Sequence, residues 1–83
     1  MDALDGNAIA GLLHDVFGDE MTTAASVCGH CGDERPVAEL VAYVQAPGTV
    51  VRCRTCARVL MVMVELRGVI CVDLNGLATL APA

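Results

Sequence analysis

Two cysteine pairs, Cys28-Gly29-His30-Cys31 and Cys53-Arg54-Thr55-Cys56, are the residues of this chain whose type and spacing could do chemistry. Two residues between paired cysteines let both sulfurs of one turn reach the same ion at about 2.3 Å, and Zn(II) prefers four tetrahedral ligands with thiolate the strongest structural donor. Cys28, Cys31, Cys53 and Cys56 are therefore the expected ligands of one Zn(II) per chain, with iron as the alternative metal. Gly32 directly follows its pair, a position that often takes positive φ while the turn aims N–H groups at sulfur. Ala57 holds the matching position in the second pair. A divalent ion on four thiolates is a centre of charge -2, and Arg52, Arg54 and Arg58 are expected to compensate it or to receive an acidic group on a partner. His30, between two committed sulfurs, is expected to point outward. Cys71, the fifth thiol, belongs to a separate strand, as a small buried hydrophobe or a redox-sensitive thiol.

The elements that must position these sulfurs read as follows. Ile9, Leu12, Leu13, Val16 and Phe17 recur at helical spacing ahead of Gly18, which predicts an amphipathic helix over 5–17 with His14 off its apolar stripe. Residues 19–27 read as a polar connector. The ribbon core is expected over 28–74, with strands at Val37–Gln45, Val59–Leu66 and Val69–Leu74, a turn at 46–49, and Val50-Val51 climbing to the second cysteine pair. Residues 75–83 are expected to form a tail that frays or lies over an edge. Strand alternation predicts one aliphatic face, with Leu40, Ala42, Leu60, Val62, Ile70 and Val72 under the helix as the core. The opposite face carries Val41, Tyr43, Met61, Met63 and Val69, and its apolar centre with polar margins predicts a protein-partner or homodimer surface. The fold class expected is a small metal-stabilised α+β domain: a zinc ribbon with a three-stranded antiparallel sheet and an N-terminal amphipathic helix.

Size and charge narrow the function. Eighty-three residues make one domain whose apolar core is marginal without added support from a metal, disulfides or a second subunit. Asp2 and Asp5 stand where a signal peptide would carry positive charge, and the longest apolar run, Val59 to Val64, is far short of the roughly 20 residues that span a bilayer. The expectation is a cytoplasmic protein, where paired cysteines hold metal more often than disulfides. With five arginines, no lysine and a formal net charge of -5, nucleic-acid binding is disfavoured. Four thiolates leave zinc no open position for water or substrate, and no paired carboxylates, Ser/His/Asp set or phosphate loop suggests other chemistry. A non-enzymatic interaction or accessory module is expected, the alternatives being an iron electron carrier and a nucleic-acid-binding regulator acting through Arg52, Arg54 and Arg58.

Two resemblances bear on these readings. Rubredoxins resemble the chain in their two Cys-x-x-Cys loops, but the loop proline, the second glycine and the aromatic core of that family are absent, which favours zinc over iron. The blocks DGNAIAGLLHDVFGDEMT, CGHCG, APGTVVRCRTCARVLMV and CVDLNGL resemble a family of small bacterial proteins, a domain of unknown function with a zinc-ribbon-like four-cysteine core. The resemblance implies an accessory or electron-transfer role beside an oxidoreductase.

Overall fold

The structure, a computed structural model, describes residues 3–45 and 47–81. Among the described residues it is mostly β, with eight strands in two antiparallel sheets. The larger sheet contains β1 (Ala3–Asp5), β4 (Val41–Gln45), β5 (Gly48–Arg52), β6 (Val59–Leu66) and β7 (Val69–Asp73), side by side in that order. The smaller sheet runs β3 (Glu34–Pro36), β2 (Ala25–Cys28) and β8 (Leu77–Ala81). This corrects the expected three-stranded zinc ribbon of α+β class. The connector at 19–27 contains Met21, Thr22 and Ala24, all buried, and then strand β2. The expected tail contains β8, which pairs with β2 from Ala25↔Ala81 to Cys28↔Leu77.

The N-terminal element is helical where the apolar spacing places it, in two pieces. The Asp5 side chain accepts the Asn7 N–H at 3.1 Å and starts a 3-10 turn over Gly6–Ile9. An α-helix, α1 (Ala10–Phe17), follows and ends at Gly18, whose φ of 72° and N–H bond to the His14 carbonyl form a left-handed cap. Ile9 and Leu13 are buried in the core, with Leu12, Val16 and Phe17 packed at its margin. The segment Val37–Glu39, expected as strand, is a 3-10 turn that buries Val37.

The register settles which residues face the core. Residues paired across antiparallel strands lie on the same face of a sheet. Ala42 pairs with Val51, Val51 with Met61, and Thr49 with Met63, so these share one face, and all five are buried. Met61 and Met63, expected on a partner surface, are core residues exposed by only 1% and 2%. Val62, Val64 and Leu66 lie instead on the outer face with Val41, Tyr43 and Val50. The inversion has two causes: β5 is a full strand lying between β4 and β6, and the register shifts between Val51 and Arg52. Leu60 is the extra residue of that bulge and is buried. Val72, expected in the core, shares the face of Met63 but is 39% exposed, because β7 is an edge strand.

One close approach fixes the loop after β7 against β6 and the first cysteine turn. A Cβ built on Gly76 would lie 2.0 Å from the Val59 carbonyl oxygen, and the Gly76 oxygen accepts the Gly29 N–H at 2.9 Å. Gly76→Ala is expected to lower stability by at least about 2 kcal/mol, since main chain on both sides would have to move. A denaturant midpoint equal to that of the natural sequence would show that this approach is not maintained.

Candidate metal centre

The two cysteine turns are built alike. In the first, the Cys28 N–H bonds the Asp33 carbonyl at 3.0 Å and the Gly32 N–H bonds the Cys28 carbonyl at 3.0 Å. In the second, the Cys53 N–H bonds the Arg58 carbonyl at 2.8 Å and the Ala57 N–H bonds the Cys53 carbonyl at 2.9 Å. The residue after each pair is left-handed: φ is 77° at Gly32 and 64° at Ala57. Glycine takes this conformation freely, whereas alanine sets its Cβ against the following carbonyl. The second turn therefore carries backbone strain that the first avoids.

Cys28 closes β2 of the small sheet and Cys53 follows β5 of the large one, so the turns bring sulfurs from both sheets together. Cys28 Sγ lies 3.6 Å from Cys56 Sγ, and Cys31 Sγ lies 3.7 Å from Cys53 Sγ. All four sulfurs fall within 4.8 Å of one another. A tetrahedron with metal–sulfur bonds of about 2.3 Å has edges of roughly 3.8 Å, so the four residues are arranged to hold one metal ion. Cys28 and Cys53 are buried and belong to the hydrophobic core, while Cys31 is exposed. The ion would thus sit at the surface with two of its ligands anchored inside.

Main-chain dipoles favour thiolate at the buried end. The N–H groups of Cys31 and His30 each approach Cys28 Sγ at 3.4 Å, and with the Cys31 N–H as the largest influence they hold this thiol down at about 6. At Cys31 the Asp33 N–H also favours thiolate, but desolvation and the crowding of Cys28, Cys53 and Cys56 outweigh it and push the thiol up to about 12. Cys56 is raised as well, the Arg58 N–H being outweighed by desolvation and the neighbouring Cys28 and Cys53.

A brace joins the turns outside the sulfurs, and sequence spacing did not reveal it. Asp33 Oδ2 accepts from Arg35 Nε at 2.6 Å and from the hydroxyl of Thr55, inside the second pair, at 2.9 Å. Arg35 reaches on toward Thr55 Oγ1 at 3.4 Å and Glu39 at 3.6 Å. The Arg35 guanidinium and the Thr55 hydroxyl hold the Asp33 carboxyl below its ordinary range. The only sequence signal was the alternation of Asp33 and Arg35 directly after the first turn.

The other expected residues separate by role. Arg52 donates to the Ala57 carbonyl at 2.9 Å and lies over the Tyr43 ring, and Arg54 donates to the Glu39 carbonyl at 2.6 Å. Both are engaged in holding main chain around the second turn. Arg58 lines a shallow groove with His30 and Asn75. His30 is exposed and stands outside the sulfur cluster. Cys71 is an exposed thiol on β7, also outside the cluster.

These features define a small, mostly β domain with a four-cysteine centre able to hold a metal ion. The chain belongs to DUF6510, a family of unknown function, which matches it over residues 1–83. Comparison with curated proteins and with solved structures gave no match.

Ala57→Gly is expected to stabilise the domain by up to about 1 kcal/mol and Gly32→Ala to destabilise it by a similar amount. Paired chemical denaturation curves would check both, and equal midpoints for the two variants would contradict the left-handed assignment. Metal must displace protons from thiols, so affinity falls as pH falls and falls more steeply below about 6, where Cys28 too is protonated. Chelator competition at pH 8, 7 and 5.5 tests the sign, and a pH-independent affinity would exclude thiolate ligation.

Proposed function

We propose that this chain is a non-enzymatic interaction module in which one Zn(II) serves as a structural clasp. The observation that carries this reading is the closed sulfur set: four Sγ atoms within 4.8 Å, drawn from turns that belong to different sheets. With four thiolates bound, zinc keeps no position for an activated water, and its binding energy contributes to folding, because an unfolded chain has no preformed site. An all-thiolate tetrahedral set suits zinc or iron, and the chain's single Phe and single Tyr weigh against an aromatic-rich iron site. Among the described residues no helix is long and apolar enough to cross a membrane. The activity of the module resides in contact with protein through the outer face of the large sheet. Nucleic acid is a poor fit, since Arg52 and Arg54 are engaged with carbonyl oxygens and the net charge is -5.

A one-electron iron centre is the second reading. It is favoured by the two N–H···S contacts on Cys28, a feature that tunes iron–sulfur potentials, and by the exposure of Cys31.

Elemental analysis of protein purified without an affinity tag is expected to give one zinc per chain and no visible absorbance. Chelation is expected to abolish the cooperative thermal transition, with zinc restoring it. Iron with charge-transfer bands would establish the second reading, and a metal-free protein that melts as the loaded one does would end the clasp reading.

A further inference from the structure

The outer face of the large sheet has an apolar centre on β4, β5 and β6 and polar margins at Asp5, Arg52 and Asp73. Val41 and Tyr43 of β4, Val50 of β5, and Val62 and Val64 of β6 form a contiguous half-buried patch. It continues to Leu66, 57% exposed, and Val69, 62% exposed. The helix and the buried methionines belong to the opposite face. Five strands about 4.8 Å apart and about 17 Å long give a projected area of roughly 400 Å², comparable to the largest patches found on single chains and characteristic of contact surfaces.

We propose that this face binds a second copy of the chain, forming a two-fold dimer by sheet-on-sheet packing. The inference rests on the reading of the outer face as a contact surface, and two observations choose the occupant. The first is charge. The chain carries -5, yet among the described residues the rim of this face is neutral, with Asp5 and Asp73 balanced by Arg52 and Arg67. A like copy is therefore not repelled there.

The charges are also placed for self-complementarity. Asp73 lies at the end of β7 nearest the cysteine turns, while Arg67 occupies the β6–β7 turn at the other end. With the two-fold axis lying across the strands, each sheet runs antiparallel to the one it covers and β7 packs over β7. Arg67 of each copy then approaches Asp73 of the other, and the pair occurs twice. A strongly charged foreign surface would find no matching net charge on this rim.

The second observation is area. Two copies hide roughly 800 Å² of strand face, rim included, below the roughly 1,200 Å² at which stable specific interfaces begin and in the range of weak, reversible contacts. A weak, reversible dimer is expected, rather than an obligate one.

Sedimentation velocity of the full-length zinc-loaded chain from about 1 μM to 1 mM is the test. The expected result is a concentration-dependent monomer–dimer equilibrium. Val69→Lys should raise Kd at least tenfold while leaving zinc content and the circular dichroism spectrum unchanged. Arg67→Asp should weaken the dimer, and adding Asp73→Lys to it should restore most of the loss. A folded, zinc-loaded chain that stays monomeric at 1 mM overturns the dimer while leaving the clasp intact. A dimer indifferent to both Val69→Lys and Arg67→Asp also overturns it, because its interface would lie elsewhere.

Discussion

The rest of this structure depends on the meeting of four sulfurs. The five-stranded and three-stranded sheets have separate hydrogen-bond ladders, and the two cysteine turns bring one into register with the other. Cys28 and Cys53 extend the constraint inward, since both are buried within the same cluster as Leu40, Leu60 and Met61. Deprotonated and without a cation, four sulfurs at these separations would repel one another. A divalent ion converts that repulsion into the strongest single attraction available to so small a core.

Around this point the main chain is unusually committed. Arg52 holds the carbonyl of Ala57, a residue whose left-handed backbone is already strained, and Arg54 holds that of Glu39. Gly76 brings the loop after β7 within bonding distance of Gly29 in the first turn. The Asp33–Arg35–Thr55 brace crosses from one turn to the other at the surface. Two of the three arginines expected to offset the charge of the centre, Arg52 and Arg54, thus hold main chain beside the loops that present the sulfurs.

The four-cysteine cluster and the N-terminal helix were legible in the sequence because each rests on a strong local rule: ligand-type spacing for Cys28, Cys31, Cys53 and Cys56, and helical periodicity with a glycine cap for Ile9 to Gly18. The small sheet was not legible. β2 and β8, ASVC and LATLA, are short and their alternation is shallow, and they are strands through pairing with each other and, for β2, with β3. The exchange of faces on β6 has a different origin. Alternation fixes which residues of one strand share a side, but not which side meets the core, and with Val or Met at every position from Val59 to Val64 except Leu60 the two sides are equally apolar. The bulge at Leu60 and the intervening β5 then decided the matter through pairing across strands.

The same small size that leaves the core marginal without added support also leaves one face of the large sheet open. An α-helix of eight residues is about 12 Å long, enough to cover part of one side of a sheet roughly 24 Å wide. Its Leu13 joins Ala42 and Met63 in the buried cluster, while Val44 and Val72 on the same face remain 47% and 39% exposed. The small sheet is occupied with β2, its neighbours and the sulfur turns. No further element among the described residues is left for the outer face, yet that face is valine-rich rather than charged. Aliphatic residues on a five-stranded surface are retained against solvent only where contact offsets their exposure. The helix therefore leaves the outer face of the large sheet open, an apolar surface on the side away from the core.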